Sequence, residues 1–91
     1  MREGTLQITV FTKPGCQPCK AVKRWLDQKG VAFDAVDVAE SPEGLEQVRA
    51  LGYDGVPVTL VRDEAGAMVD HWHGYVRDSL VKYTAPAEVA A

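Results

Sequence analysis

No apolar run in this chain approaches the ~18 residues that a membrane-spanning helix needs. Nor does an apolar stretch follow Met1-Arg2-Glu3-Gly4-Thr5, so a secretory signal is not expected and the expected location is the cytoplasm. Cysteine is scarce: two residues in 91 cannot build a disulfide-rich secreted scaffold. A basic excess is missing too, since 10 Lys and Arg face 13 Asp and Glu for a net charge of −3, which argues against nucleic acid as a partner. There is no Gly-rich phosphate loop, no Ser-His-Asp arrangement, no internal repeat and no low-complexity linker. The hydrophobic share of 46% and the charged share of 25% are those of an ordinary globular domain, and the length allows one. Nothing in the composition demands an oligomer, so a monomer is expected.

What the chain does have is both cysteines in one motif, Cys16-Gln17-Pro18-Cys19, between a strand-like run and a helix-like run. Two thiols at this spacing on the first turn of a helix can close one short disulfide and reopen it. The unpaired N–H groups and the dipole of a helix N-terminus favour a thiolate there. Cys16, nearer the helix tip, is expected to be the attacking thiolate, and Cys19, one turn deeper, the resolving thiol. The charge distribution agrees. Residues 13–29 hold five cations (Lys13, Lys20, Lys23, Arg24, Lys29) against Asp27, a local balance of +4, which leaves −7 for the rest of the chain. Such a surround favours a thiolate and draws an acidic partner, although a solvated helix face would have the same composition.

Along the chain, Leu6 to Thr12 alternates like a strand, Lys13-Pro14-Gly15 turns, and 17–29 reads as a helix with Pro18 in its first turn and Gly30 as its stop. Cys19, Val22 and Leu26 share its inner face, with Trp25 beside them. A second strand is expected over Val31 to Val38. Ser41-Pro42-Glu43 has the pattern of a helix start, Leu45, Val48 and Leu51 form its apolar stripe, and Gly52 ends it. Val58 to Val61 and Met68 to Trp72 are strands joined by a hairpin loop at Asp63-Glu64-Ala65-Gly66. After Gly74, Val76, Leu80 and Tyr83 suit a short helix. Residues 84–91 read as a flexible tail, which leaves 1–83 as the single domain.

The order β-α-β-α-β-β-α implies a parallel first pair, an antiparallel last pair and helices over a four-stranded mixed sheet, the α/β class. The C-x-x-C then lies at the C-terminal edge of a strand, where open α/β sheets place their chemistry.

Several residues have a second reading. His71 and His73 could complete a zinc site with the two cysteines, which would make the chain a zinc- or protein-binding module, but they read better as surface strand residues. Asp37 could assist proton transfer, or simply cap a strand end or helix. Trp72 reads as packing. Val56-Pro57, just ahead of a strand, is either a turn proline or a cis peptide that brings a backbone edge to the disulfide.

Thr12-Lys13-Pro14-Gly15-Cys16-Gln17-Pro18-Cys19, Ala50-Leu51-Gly52-Tyr53, Val56-Pro57-Val58 and His71-Trp72-His73-Gly74-Tyr75 together resemble the NrdH-redoxins, over roughly residues 5–83. These are small glutaredoxin-like proteins of the thioredoxin superfamily. The resemblance implies a thioredoxin/glutaredoxin fold and a cis Val56-Pro57. It implies a dithiol–disulfide oxidoreductase with no bound cofactor, supplied with electrons from NADPH through thioredoxin reductase. It implies that these electrons pass to the ribonucleotide reductase large subunit, usually of class Ib. The partner-contacting set it implies is Lys13, Gln17, Pro18, Val56, Pro57, Trp72, Gly74 and Tyr75.

The chain departs from the family at three places. The hallmark W-S-G-F-R-P-D is here Trp72-His73-Gly74-Tyr75-Val76-Arg77-Asp78, the dithiol is C-Q-P-C, and the loop from Asp63 to Ala67 is longer than usual. The alternative is a glutathione-dependent glutaredoxin or a general protein disulfide reductase. A glutathione platform usually has Gly-Gly before its Asp; here Asp78 is kept but His73 stands where the first glycine would be.

Overall fold

Helix α1 (Gln17–Gln28) starts and stops where its ends find hydrogen-bond partners. Cys16 is its N-cap, and Lys29 its C-cap. Beyond the cap, Gly30 N–H donates to Asp27 O at 3.1 Å and Val31 N–H to Leu26 O at 3.0 Å, a Schellman closure. Helix α2 (Pro42–Ala50) has the same design. Ser41 Oγ accepts from Gly44 N at 3.0 Å. At its far end, Gly52 N–H donates to Arg49 O and Tyr53 N–H to Val48 O. Both stops fall at the glycines the sequence marks.

The computed structural model describes residues 6–84. Strands β1 (Gln7–Thr12), β2 (Asp34–Asp37), β3 (Val58–Arg62) and β4 (Met68–His73) form one sheet in the order β2-β1-β3-β4. β1 and β2 are parallel; β1/β3 and β3/β4 are antiparallel. Helix α3 (Arg77–Thr84) completes the expected β-α-β-α-β-β-α order. Among the described residues no helix is long and apolar enough to cross a membrane.

The sheet is covered on both sides. Ile8, Val10, Val61 and Trp72 meet Val22 and Leu26 of α1 and Leu80 of α3 on one face. On the other, Phe11, Val58 and Leu60 meet Val48 of α2. The central β3 is buried from Val58 to Val61, as a strand covered on both faces must be.

Several details differ from the sequence reading. β2 is Asp34–Asp37 rather than 31–38, because Val31 closes α1 and Val31 and Phe33 pack against the α1-side core. In α2, Leu45 and Leu51 are only half-buried, and the fully covered positions are Gly44 and Val48. A Cβ on Gly44 would stand 2.7 Å from Val36 Cγ1, so the helix approaches β2 more closely than a side chain allows. Val76 lies ahead of α3 and accepts at its carbonyl from Leu80 N. Thr84, assigned to the tail, is instead the buried last residue of α3. The rest of that expected tail, residues 85–91, lies outside the described residues.

Candidate functional site

The site is built by the junction of β1 with α1. β1 ends at Thr12, the exposed Lys13-Pro14-Gly15 turn follows, and Cys16 caps the helix in extended conformation (φ −95°, ψ 108°). Cys16 and Cys19 are joined in a disulfide with Cα atoms 5.2 Å apart. Cys16 retains 8% of its surface and Cys19 none, so Cys16 is the more accessible of the two.

The backbone N–H of Cys19 donates to Cys16 Sγ at 3.2 Å. Pro18 has no N–H to offer, so the donor falls on the third helical residue. This contact and the helix N-terminus stabilise negative charge on Cys16 Sγ once the disulfide opens. Lys13 and Lys20 are exposed beside it and add positive potential.

Opposite the sulfurs stands the Val56-Pro57 peptide, which is cis. Val56 O lies 4.0 Å from Cys16 Sγ. The register that pairs Phe11 with Val58 and Val58 with His73 sets Thr12, Pro57 and Gly74 side by side at one end of the sheet. The Gly74 N–H donates to Pro57 O at 2.8 Å.

The expected partner-contacting residues divide by position. Lys13, Gln17, Pro18 and Tyr75 are exposed, Val56 and Gly74 half-buried, and Pro57 buried. Trp72 is 8% exposed and belongs to the α1-side core, with its Nε1–H buried and without a hydrogen-bond partner. Its reading as packing describes its place in the fold.

His71 and His73 do not approach the cysteines as a ligand set. They flank Tyr53: its hydroxyl shares a 2.9 Å hydrogen bond with His71 Nδ1, and its ring stacks on His73 at 5.9 Å. Among the described residues no three His, Cys, Asp or Glu side chains gather to hold a metal ion. Asp37 caps the turn after β2, accepting from Ala39 N at 2.9 Å through its side chain and from Glu40 and Ser41 through its carbonyl.

Sequence reasoning did not see the Tyr53–His73 stack, which lies under Gly55 and thus under the loop presenting Val56; a Cβ on Gly55 would stand 3.5 Å from His73 Nε2. The two histidines at i and i+2 were the available signal. It also did not see a cleft of about 130 Å³ where α1 meets Tyr75. A larger cleft, about 350 Å³, lies between α2 and the β3–β4 hairpin, at the opposite end of β3 from the sulfurs.

The sequence matches the glutaredoxin family over residues 8–65. It is 40% identical over 58 residues to the glutaredoxin-like protein NrdH of Lactococcus lactis subsp. lactis, spanning 64% of this chain and 81% of that one. The glutaredoxin-like protein NrdH of Escherichia coli K12 is 31% identical over 86 residues, 94% of this chain and 98% of the relative. The solved NrdH-redoxin from Escherichia coli, described as having a thioredoxin-like activity profile, superposes with a TM-score of 0.75 over 89% of this chain and 97% of that one. With the same β-α-β-α-β-β-α order and a Cys16–Cys19 disulfide at the tip of α1, the chain belongs to the NrdH-redoxins of the thioredoxin superfamily and is a thiol–disulfide oxidoreductase.

Proposed function

We propose that this protein carries electrons from NADPH, by way of thioredoxin reductase, to a disulfide of the ribonucleotide reductase large subunit of class Ib, acting in the cytoplasm as a monomer. The observation that supports this best is the pairing of Cys16 Sγ with the Val56 carbonyl at 4.0 Å. It sets the reactive sulfur against a backbone edge, as capture of an extended client segment requires. Main-chain pairing with such a segment gives affinity with few demands on the client's side chains.

In the reduced protein the Cys16 thiolate attacks one sulfur of the client disulfide. A mixed disulfide forms and the client's other sulfur leaves as a thiolate, which takes up a proton. Cys19 then loses its proton and attacks Cys16 Sγ. The Cys16–Cys19 disulfide forms, and the second client sulfur leaves and is protonated. Two electrons and two protons have passed to the client. Thioredoxin reductase returns them through the reverse exchange at Cys16.

The choice of thioredoxin reductase over glutathione rests on His73 and the exposed Tyr75 on either side of Gly74, bulk where a glutathione platform is open. The thioredoxin-like activity profile described for the Escherichia coli NrdH-redoxin points the same way. A reconstituted assay decides between the two. NADPH oxidation with a disulfide substrate should require thioredoxin reductase and proceed without glutathione. Faster turnover with glutathione and its reductase would make the chain a glutathione-dependent glutaredoxin.

The client is tested by trapping. Cys19→Ser should accumulate a covalent adduct with the ribonucleotide reductase large subunit through Cys16, and Cys16→Ser should not. An adduct on Cys19, or none with that client while a general disulfide substrate is still reduced, would contradict the roles or the partner.

A further inference from the structure

The cleft of about 130 Å³ beside Tyr75 is lined by Ala21, Arg24, Trp25, Gln28 and Tyr75. Two connections tie it to the disulfide. The first is α1 itself. Gln17, Ala21, Arg24 and Gln28 recur at helical spacing on the side away from buried Cys19, Val22 and Leu26, so this stripe starts at the sulfurs and runs into the cleft. At about 1.5 Å rise per residue, Arg24 lies roughly 12 Å along the axis from Cys16. The second is the sheet edge. Tyr75 follows Gly74, whose amide is bonded to Pro57 O, one residue from the Val56 carbonyl that faces Cys16 Sγ. The cleft therefore stands where an extended segment leaving Val56 would next meet the protein.

Its lining is specific in charge. Arg24 forms one wall and is exposed, and the exposed Lys20 stands one turn nearer the sulfurs. Lys29 Nζ lies 4.9 Å and the Arg77 guanidinium 5.6 Å from the centre of the Trp25 ring. Within residues 20–29, Lys20, Lys23, Arg24 and Lys29 face only Asp27, in a chain whose net charge is −3. The floor is aromatic, from Trp25 and Tyr75, and Gln28 offers an amide. The cleft is small, about 130 Å³, and open to solvent on one side, a size that suits a single side chain of a segment lying across it.

We propose that this cleft is a specificity subsite for an acidic side chain, Asp or Glu, on the client's extended segment. Its carboxylate would meet Arg24 and its methylenes the Trp25 and Tyr75 rings. The distance sets its place in the client. Covering roughly 12 Å at about 3.3 Å per extended residue puts the acid about four residues from the cysteine that Cys16 attacks. The inference rests on the reading of Cys16 as reacting with an extended disulfide segment, and adds what that segment must carry.

The test uses the full-length chain, reduced beforehand and freed of reductant, in single turnovers with synthetic disulfide peptides. Each peptide carries one Glu, moved a position at a time away from the disulfide in either direction, and has a Gln counterpart. The Glu peptide should react roughly three- to fivefold faster than its Gln counterpart at low salt, the scale of an exposed ion pair. The ratio should peak about four residues from the attacked cysteine and shrink with added salt. Crossing the Glu/Gln pair with Arg24→Gln isolates the coupling: the ratio should fall to near one, and Arg24→Lys should restore part of it. An equal ratio in wild type and Arg24→Gln, or a peak beside the disulfide itself, would overturn the subsite and leave the proposed electron transfer standing. If the reduced chain opens none of the peptides, the extended-segment reading fails and the subsite falls with it.

Discussion

The Gly74 N–H donates to the Pro57 carbonyl at 2.8 Å, which fastens the end of β4 to the peptide facing the disulfide. Pro57 brings an acceptor but no donor to the ladder, and this bond engages that acceptor. Gly74 reaches it at φ +91°, a conformation that an L side chain enters only under strain. The end of β4 thus helps to fix the position of the Val56 edge opposite Cys16.

Gly74→Ala should therefore lower both stability and activity. Apart from its chain neighbours nothing lies within 4 Å of an added Cβ, so the penalty comes from the backbone conformation, about 1–2 kcal/mol. Urea unfolding should show a lower midpoint, and the rate of disulfide reduction should fall as the Pro57 edge moves. An unchanged midpoint would show that this glycine is not needed for its conformation.

Thr59→Val is expected to act in the opposite direction. Thr59 is fully buried at the centre of the sheet, paired in register with Val10 and Trp72, and its Oγ1 has no hydrogen-bond partner. Valine keeps the shape and the β-branching while removing an unsatisfied hydroxyl. A gain of about 1 kcal/mol is expected. A lower unfolding midpoint would mean that the hydroxyl is engaged in the folded protein.

Much of this arrangement is legible in the sequence because it depends on local rules. Ser41, Gly30 and Gly52 mark helix ends through their own backbone chemistry, and the Cys16–Cys19 spacing needs nothing beyond one helical turn. What was hidden depends on distant neighbours. Val31 and Phe33 have strand-like composition, but the closure of α1 and the core behind it claim them first. Gly44 looks like a poor helix residue until β2 is laid against it. Thr84 reads as tail because its partners, Trp25 and Leu80, are set only by the packing of α3 on α1. The cleft at Tyr75 joins two segments about 50 residues apart, which no local pattern could have paired.

That packing makes Thr84 a test of how α3 is held. Its Oγ1 accepts from Trp25 Nε1 at 3.1 Å and donates to Leu80 O at 2.6 Å. Thr84→Val keeps the volume and removes both bonds, leaving the indole N–H without its acceptor. The loss should be about 1–2 kcal/mol, with a change in tryptophan emission in the folded state. Thr84→Ser should retain most of the stability. If valine and serine behave alike, the hydroxyl contributes nothing to the docking of α3.

Tyr83 Oη donates to Asp70 Oδ2 at 2.8 Å, and its ring stacks on Trp72 with centroids 5.8 Å apart. The hydrogen bond to Asp70 favours the protonated phenol. Burial and the Asp70 charge act the same way, Lys82 opposes them, and the net result holds Tyr83 above the usual phenol range. The folded protein therefore binds this proton more tightly than the unfolded chain does. Its contribution to stability is fully present below about pH 10, the unfolded value, and is lost as pH rises through the higher folded value. In the wild type, Tyr83 should titrate above the usual phenol range by phenolate absorbance, and stability should decline across that window. Tyr83→Phe should remove the late titration and flatten the decline, at the expense of some stability near neutrality because Asp70 Oδ2 loses its donor. Asp70→Asn should bring the late titration down. If Tyr83→Phe leaves the late component in place, or Asp70→Asn leaves it unmoved, the Asp70–Tyr83 bond is not what holds the phenol above its usual range.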